Sequence, residues 1–233
     1  MITLRNMCLS ALVVLAGSIF LAMAAAQGNA TNSLAPFLTR PASAARIPDA
    51  NGFMQRWLIL EPIPVNGQTE GLVRAAVKTE YFPDQFTVIP HDGDKVTVDG
   101  KELFWHAVDT NDYNLNLYYF ARAFGKTSDN ALFWAVTIVN CPQDMPGVRL
   151  AIGSNAASVW WVNGKEVTGI YGDRQTVIDD GVSKHLTLNK GPNVVRCAVV
   201  NGSGASDFCA RFLDKDEKPL KGFILTIGGT KQP

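Results

Sequence analysis

The sequence has 233 residues, of which 47% are hydrophobic and 18% charged. Those proportions belong to a folded globular chain and exclude the disordered, collagen-like and coiled-coil classes. Lys and Arg total 21 and Asp and Glu also total 21, so the charge balance carries no electrostatic footprint for nucleic acid or for a strongly anionic partner.

In chain order, the first feature is Arg5 followed by the apolar run Leu9–Ala26, which ends in Ala24-Ala25-Ala26 before Gln27. A basic start, an apolar stretch and a small-residue end mark residues 1–26 as a secretory signal peptide, and the alanine-rich end favours cleavage over retention as a membrane anchor. Cys8 precedes the apolar run, whereas a lipid-attachment cysteine would follow it. Cleavage removes Arg5 and Cys8. The expected product is periplasmic or extracellular, has no stable membrane span, and carries 20 basic against 21 acidic residues.

Residues 27–52 are rich in Ala, Asn, Ser, Thr and Pro and read as a linker or extended lead-in with weak order. From residue 53 to residue 228 short apolar runs alternate with turn residues, the pattern of an all-β domain. Strands are expected at Trp57–Leu60, Gln85–Ile89, Lys95–Val98, Leu103–Val108, Asn114–Phe120, Ala131–Val139, Val148–Ile152, Ser158–Val162, Lys184–Leu188, Asn193–Val200, Phe208–Phe212 and Phe223–Ile227. Asp92-Gly93-Asp94, Asp99-Gly100-Lys101, Asn163-Gly164-Lys165 and Lys190-Gly191-Pro192-Asn193 supply the turns, with Gly or Asn taking the positive φ that tight turns require. Glu70–Glu80 is the main helical segment, its Leu72, Val73, Ala76 and Val77 falling on one helical face. This inventory predicts a two-sheet β-sandwich with one short helix, large enough to bury a core without disulfides.

Cys141, Cys197 and Cys209 form an odd set for an oxidising compartment, so at least one is free or pairs with another molecule. If Val194–Val200 and Ser206–Phe212 formed a hairpin about Ser203, Cys197 would stand opposite Cys209. Geometry would then allow a disulfide in a non-hydrogen-bonded pair, and two small apolar core residues would satisfy the same pattern. No CxxC occurs, and His91, His106 and His185 are scattered, so zinc is not indicated.

An ordered series of motifs adds a resemblance. Arg56-Trp57-Leu58-Ile59-Leu60-Glu61-Pro62-Ile63-Pro64, Asp99-Gly100-Lys101-Glu102-Leu103-Phe104-Trp105-His106, Val148–Asn155 with Val159-Trp160-Trp161-Val162-Asn163-Gly164-Lys165-Glu166-Val167, and Leu186–Val195 follow one another from about Trp57 to Phe212. Together they resemble the galactose-binding-like jelly-roll domains that accompany bacterial polysaccharide-degrading enzymes. The chain departs from that pattern at Glu61, where a glycine is usual, at Asn155 and Ala156, where an acidic pair is usual, and in Gly202–Phe208, which lacks a tryptophan. The resemblance implies a jelly-roll sandwich acting as a non-catalytic module that contacts carbohydrate or packs against a carbohydrate-active protein.

The motifs of catalysis are sparse. Gly-x-Ser-x-Gly does not occur, and neither does a phosphate-binding or dinucleotide-binding glycine fingerprint. Paired carboxylates for glycoside hydrolysis need only be close in space, which leaves the loop residues Asp109, Asp112, Asp173, Asp179 and Asp180 as either acids or turn initiators. Asp92, Asp94, Asp109 and Asp112 offer the oxygen ligands Ca²⁺ prefers, without the spacing of an EF-hand; a structural calcium is the one cofactor they would suit.

Sugar rings stack their C–H faces on aromatic rings while their hydroxyls take hydrogen bonds from polar groups. Trp57, Trp134 and Trp161 fall where the resembling domains place core residues. Trp160, on the opposite face from Trp161, lies under a second layer or on a surface. Tyr113 and Tyr171, with Asp112, Arg174 and Asn163, form the expected ligand-contacting rim; the alternative is that the two tyrosines cap the sandwich ends. The primary reading is a secreted carbohydrate-binding module. A small hydrolase would show convergent acids in a deep cleft, and a structural envelope domain would show an exposed apolar patch without an aromatic, polar-rimmed surface.

Overall fold

The computed structural model describes residues 34–66, 69–172 and 174–228; the expected signal peptide lies outside them. The strands are β1 (Leu38–Thr39), β2 (Ala45–Arg46), β3 (Arg56–Leu60), β4 (Ile63–Pro64), β5 (Lys95–Val98), β6 (Lys101–Thr110), β7 (Leu115–Asn116), β8 (Ala131–Cys141), β9 (Met145–Ser154), β10 (Ala157–Val162), β11 (Lys165–Ile170), β12 (Gly181–Val182), β13 (Leu186–Leu188), β14 (Gly191–Asn201), β15 (Asp207–Leu213) and β16 (Ile224–Thr226). The helices are α1 (Glu70–Lys78) and α2 (Leu117–Ala123). Neither is long and apolar enough to cross a membrane.

Two antiparallel sheets make the sandwich. The large sheet runs β1-β6-β3-β8-β14-β10-β11, with β2, β4, β5 and β16 attached at its margins, and the small sheet runs β12-β9-β15-β7 with β13 beside β9. Between them Trp57, Ile59, Phe133, Trp160, Cys197 and Val199 of the large sheet meet Leu150, Ile152, Phe208, Ala210 and Phe212 of the small one. The opposite face of the large sheet is also apolar. Leu58, Leu60, Trp134, Val136, Val159 and Ala198 lie there under Val73, Ala76 and Val77 of α1 and under Phe82. Strand β8 is accordingly buried along almost its whole length, as expected of a strand covered on both sides.

The all-β sandwich follows the sequence pattern, and α1 occupies most of the expected helix. Its first turn is capped by Thr69, whose hydroxyl accepts from Leu72 N at 3.3 Å. Two expected strands differ. In Asn114–Phe120 the Asn116 side chain accepts from Tyr119 N at 2.9 Å and starts α2, so a helix cap overrides the apolar alternation. Gln85–Ile89 is an irregular turn, because the buried Gln85 side chain takes the main-chain bonds: Nε2 donates to Thr79 O at 2.8 Å and Oε1 accepts from Tyr81 N at 2.9 Å. In the lead-in, Leu34 and Leu38 are buried, β1 pairs with β6, and β2 pairs with β16.

The hairpin about Ser203 does not form. Strand β14 lies in the large sheet between β8 and β10, whereas β15 lies in the small sheet between β9 and β7. Cys197 therefore stands beside Ala135 and Trp160, and Cys209 stands beside Gly153. Of the two readings, a disulfide or small apolar core residues, the second holds: Cys141, Cys197 and Cys209 are free and buried. Burial pushes the Cys197 thiol well above its ordinary range and the Cys209 thiol up to about 12, so neither is ionised or reactive near neutrality. Ellman titration of residues 27–233 should give no fast-reacting thiol in the native state. In denaturant all three should react, with or without prior reduction; one reactive thiol under non-reducing conditions would restore the disulfide.

Candidate functional site

The turn Asn163-Gly164 joins β10 to β11 with φ of 49° and 78° at its two residues, the double positive φ of a two-residue hairpin turn. Asn163 is structural there. Its Nδ2 donates to Asn193 Oδ1 at 2.9 Å and its Oδ1 accepts from Val194 N at 2.9 Å. The turn sets Val162 opposite Lys165 and Trp161 opposite Glu166, and an irregularity between Trp160 and Trp161 shifts the register beyond. On its other side Trp161 faces Arg196 of β14, which faces Val136 of β8. One row across the sheet therefore reads Glu166, Trp161, Arg196, Val136.

Trp160 takes the first of its two expected places, under a second layer, whereas Trp161, expected in the core, is only half-buried. Trp160 is fully buried between the sheets, packed edge-on against Trp57 and Phe208, and its Nε1 donates to Ser158 Oγ at 3.0 Å. Trp161 is half-buried on the opposite face. It lies over buried Trp134, centroids 5.6 Å apart, and Phe86 meets the same Trp134 edge-on at 5.7 Å.

Trp161 and Phe86 open into a depression of about 260 Å³ lined also by Arg74, Val77, Lys78, Glu166 and Tyr171. A second depression of about 210 Å³ shares Tyr171 and is bordered by Thr69, Glu70, Val73, Asn201 and Ser203. The two make one cleft beside α1. Tyr171 divides it, held by the Arg74 guanidinium 3.6 Å from its ring centroid. On another side its ring lies so near Gly169 that a Cβ there would stand 3.2 Å from the ring carbons. Its hydroxyl donates to Glu166 Oε1 at 3.4 Å. Burial, with the Glu166 charge beside it, raises the phenol above its usual range, so it stays a neutral donor. Arg74 is in turn paired with Glu70 one helical turn away, at 2.7 Å.

Of the other expected rim residues, Arg174 is tied to Asp180 at 2.8 Å. Tyr113 packs on Phe53 with centroids 5.5 Å apart, and Asp112 Oδ1 accepts from Tyr113 N at 2.7 Å; neither lines the cleft. The acidic residues considered for calcium have their own partners. Asp109 holds buried Arg56 through two 2.8 Å bonds, Asp92 accepts from Ala107 N at 2.8 Å, and Asp94 accepts from His91 N at 2.7 Å. Among the described residues no group of three or more His, Cys, Asp or Glu is placed to hold a metal ion. Sequence reasoning missed Phe86, Arg74, Lys78 and Glu166. Counting outward from Asn163-Gly164 would have paired Trp161 with Glu166.

A larger hollow of about 670 Å³ lies between the lead-in and β8, lined by Pro41, Ser43, Ala44, His91, Asp92 and Ile138 among others. It contains a serine and a histidine, but Ser43 Oγ donates to Ala45 O at 2.8 Å and His91 Nδ1 faces Asp94 at 3.2 Å. No bond joins the two, and the lining offers no aromatic platform other than the imidazole.

Glu61, at the departure from the resembling motif, is buried and forms a separate cluster with His106 and the partly exposed Lys126, each 3.2 Å from its carboxylate. Burial pushes this carboxyl upward, but hydrogen bonds and charge from His106 and Lys126 outweigh it and lower the pKa from 4.5.

No family model and no curated protein matches the chain. Among solved structures it is similar to a β-glucosidase from Kluyveromyces marxianus, at 16% identity over 77% of this chain and 20% of that one, with a TM-score of 0.41. It is also similar to the PA14 sugar-binding domain from an RTX adhesin, at 14% identity over 75% of this chain and 100% of that one, TM-score 0.43. A third is the PA14 domain of the MpAFP antifreeze protein, at 12% identity over 84% of this chain and 100% of that one, TM-score 0.41. The chain thus spans a fifth of the β-glucosidase's length.

Acrylamide should quench a component of the native tryptophan fluorescence that disappears in Trp161→Phe and persists in Trp160→Phe; the reverse would return Trp160 to the surface. Because the folded Glu61 pKa lies below 4.5, its contribution to stability is present above that pH and lost as pH falls through the folded value. The urea midpoint should therefore fall more steeply below about pH 4.5 in the wild type than in Glu61→Gln.

Proposed function

We propose that this protein is an exported, non-catalytic carbohydrate-binding module of the galactose-binding-like kind, with its saccharide site in the cleft beside α1. The observation that carries this reading is the half-buried Trp161 indole, backed by Trp134 and framed by Phe86, Glu166, Lys78 and the Tyr171–Arg74 pair. A pyranose needs an apolar plate for its C–H face and donors and acceptors at its rim, and this is the composition the cleft offers. Lys78 donates, and Glu166 and the Tyr171 phenolic oxygen accept. Two adjoining depressions suit a chain of sugars more than a single one.

Binding is favoured over hydrolysis by the carboxylates. Glu166 is the acid lining the larger depression, and Glu70, beyond Tyr171, is committed to Arg74. A glycosidase needs two carboxyl groups on opposite sides of the scissile bond. The donor set gives calcium no role in the cleft, so the carbohydrate itself is the proposed partner.

Residues 27–233, titrated with an array of soluble plant and microbial polysaccharides and followed by tryptophan fluorescence, should bind at least one saturably and without sensitivity to EDTA. Trp161→Ala should weaken that binding about 30-fold, the size of a loss of about 2 kcal/mol at a buried aromatic hot spot. Tyr113→Ala should bind as the wild type does. Failure to bind any glycan, or equal binding by Trp161→Ala, would overturn the proposal.

A further inference from the structure

Phe86, the wall of the cleft beside Trp161, sits on a segment that belongs to neither sheet nor helix. Residues 80–90 are held within themselves by Gln85 and by a tight turn in which Thr87 N and Val88 N both donate to Asp84 O, at 2.9 and 2.7 Å. Phe82 anchors one end, edge-on to Trp105 with centroids 6.5 Å apart. On either side of Phe86 the segment is fastened to the large sheet by one side chain. Arg196 Nη1 donates to Gln85 O at 3.1 Å, and Nη2 donates to Val88 O.

Arg196 is a costly fastener. It is 3% exposed, it stands in a row with Val136 and Leu58, and among the described residues it makes no ion pair with a carboxylate. Carbonyl dipoles are its hydrogen-bond partners. Burial lowers its pKa to about 10, the sign of a cation poorly compensated for leaving water. An apolar side chain would relieve the sheet of that charge, at the expense of the donor to the Gln85 and Val88 carbonyls. A local sacrifice of stability beside a cleft points to function.

We propose that Arg196 is the positioning residue of this cleft: it touches no ligand, and its guanidinium pins the carbonyls that flank Phe86 so that the ring stands on Trp134 beside Trp161. It thereby fixes the width of the depression and which ring substituents pass between Phe86 and the Trp161 plate. A planar fork holds two carbonyls three residues apart in one fixed geometry. Lysine, a single ammonium on a flexible stem, does not replace it. The consequence for ligands rests on the saccharide-binding reading; the consequence for the loop does not.

The test uses Arg196→Met, Arg196→Lys, Phe86→Ala and the double variant Arg196→Met/Phe86→Ala in residues 27–233. Melting temperature, acrylamide quenching of tryptophan, limited proteolysis within residues 80–90 and polysaccharide affinity are the readouts. Arg196→Met should melt within a few degrees of the wild type yet match Phe86→Ala in quenching and be cut faster in the loop. Its affinity should fall about tenfold, and the double variant should bind no more weakly than Phe86→Ala alone, the non-additivity of two residues acting as one unit. Arg196→Lys should show the same loosening, and it decides the matter if Arg196→Met does not fold. Additive losses in the double variant, or unchanged quenching and proteolysis in a folded Arg196 variant, would overturn the proposal. If the wild type binds no polysaccharide, the saccharide reading fails, while quenching and proteolysis still decide whether Arg196 holds the loop.

Discussion

The large sheet is apolar on both faces, and the shape of the cleft beside α1 depends on how the two faces are covered. The small sheet, with α2 and the lead-in, covers one, burying Trp57 and Trp160 between the layers. The other is covered by α1 and the irregular residues 80–90, which together span less of the sheet than a second sheet would. Cover runs out over β10 and β11. There Trp161 is left half-buried, and the cleft is the space between the end of the cover and the end of the sheet. The site is thus a boundary of a core, with a buried indole beneath an accessible one.

What fills that boundary is decided by register. A two-residue turn at Asn163-Gly164 brings Trp161 level with Glu166, and pairing with β14 brings Arg196 to the other side of the same indole. A slip by one residue would exchange the faces, putting Trp160 in the cleft and driving Trp161 between the sheets. The side chains of Asn163 and Asn193 bond across the turn and oppose such a slip. Small residues complete the arrangement: Gly169, Val159, Ala198 and Trp134 form a cross-strand row in which Gly169 and Ala198 leave room for the Tyr171 and Trp134 rings.

Much of the fold was legible in the sequence because apolar runs bounded by turn residues report strands directly. The β5, β8, β10 and β14 segments fall where the pattern puts them. The failures share a physical cause, a single side chain that competes with the ladder for main-chain bonds. Asn116 caps a helix within an apolar alternation, and Gln85 closes a turn in another. Cys197 and Cys209 stand apart for a different reason: strands adjacent in sequence need not share a sheet, and residues 202–206 carry the chain from one sheet to the other. Of the expected site only Tyr171 lines the cleft, because the expectation grouped residues by nearness along the chain. The cleft instead gathers α1, the loop at Phe86 and the β10–β11 hairpin, which come together through the second face of the sheet.

Two buried arginines of the large sheet show how irregular segments acquire a fixed shape. Arg56, 1% exposed, spans Asp109 with two nitrogens and donates a third bond to Ser43 O at 2.8 Å, which fastens the lead-in to β3. Arg196 fastens residues 80–90 in the same manner, through the carbonyls of Gln85 and Val88. The main difference is the carboxylate. Asp109 neutralises Arg56 where the lead-in only has to stay in place, and the energetics there resemble those of any well-paired buried ion. Arg196 has carbonyl dipoles alone, so its grip on the loop is weaker than that of a compensated pair and more dependent on the loop's own geometry. Loss of that one side chain would release the loop at Phe86 while the pairing of β14 with β8 and β10 stays in place.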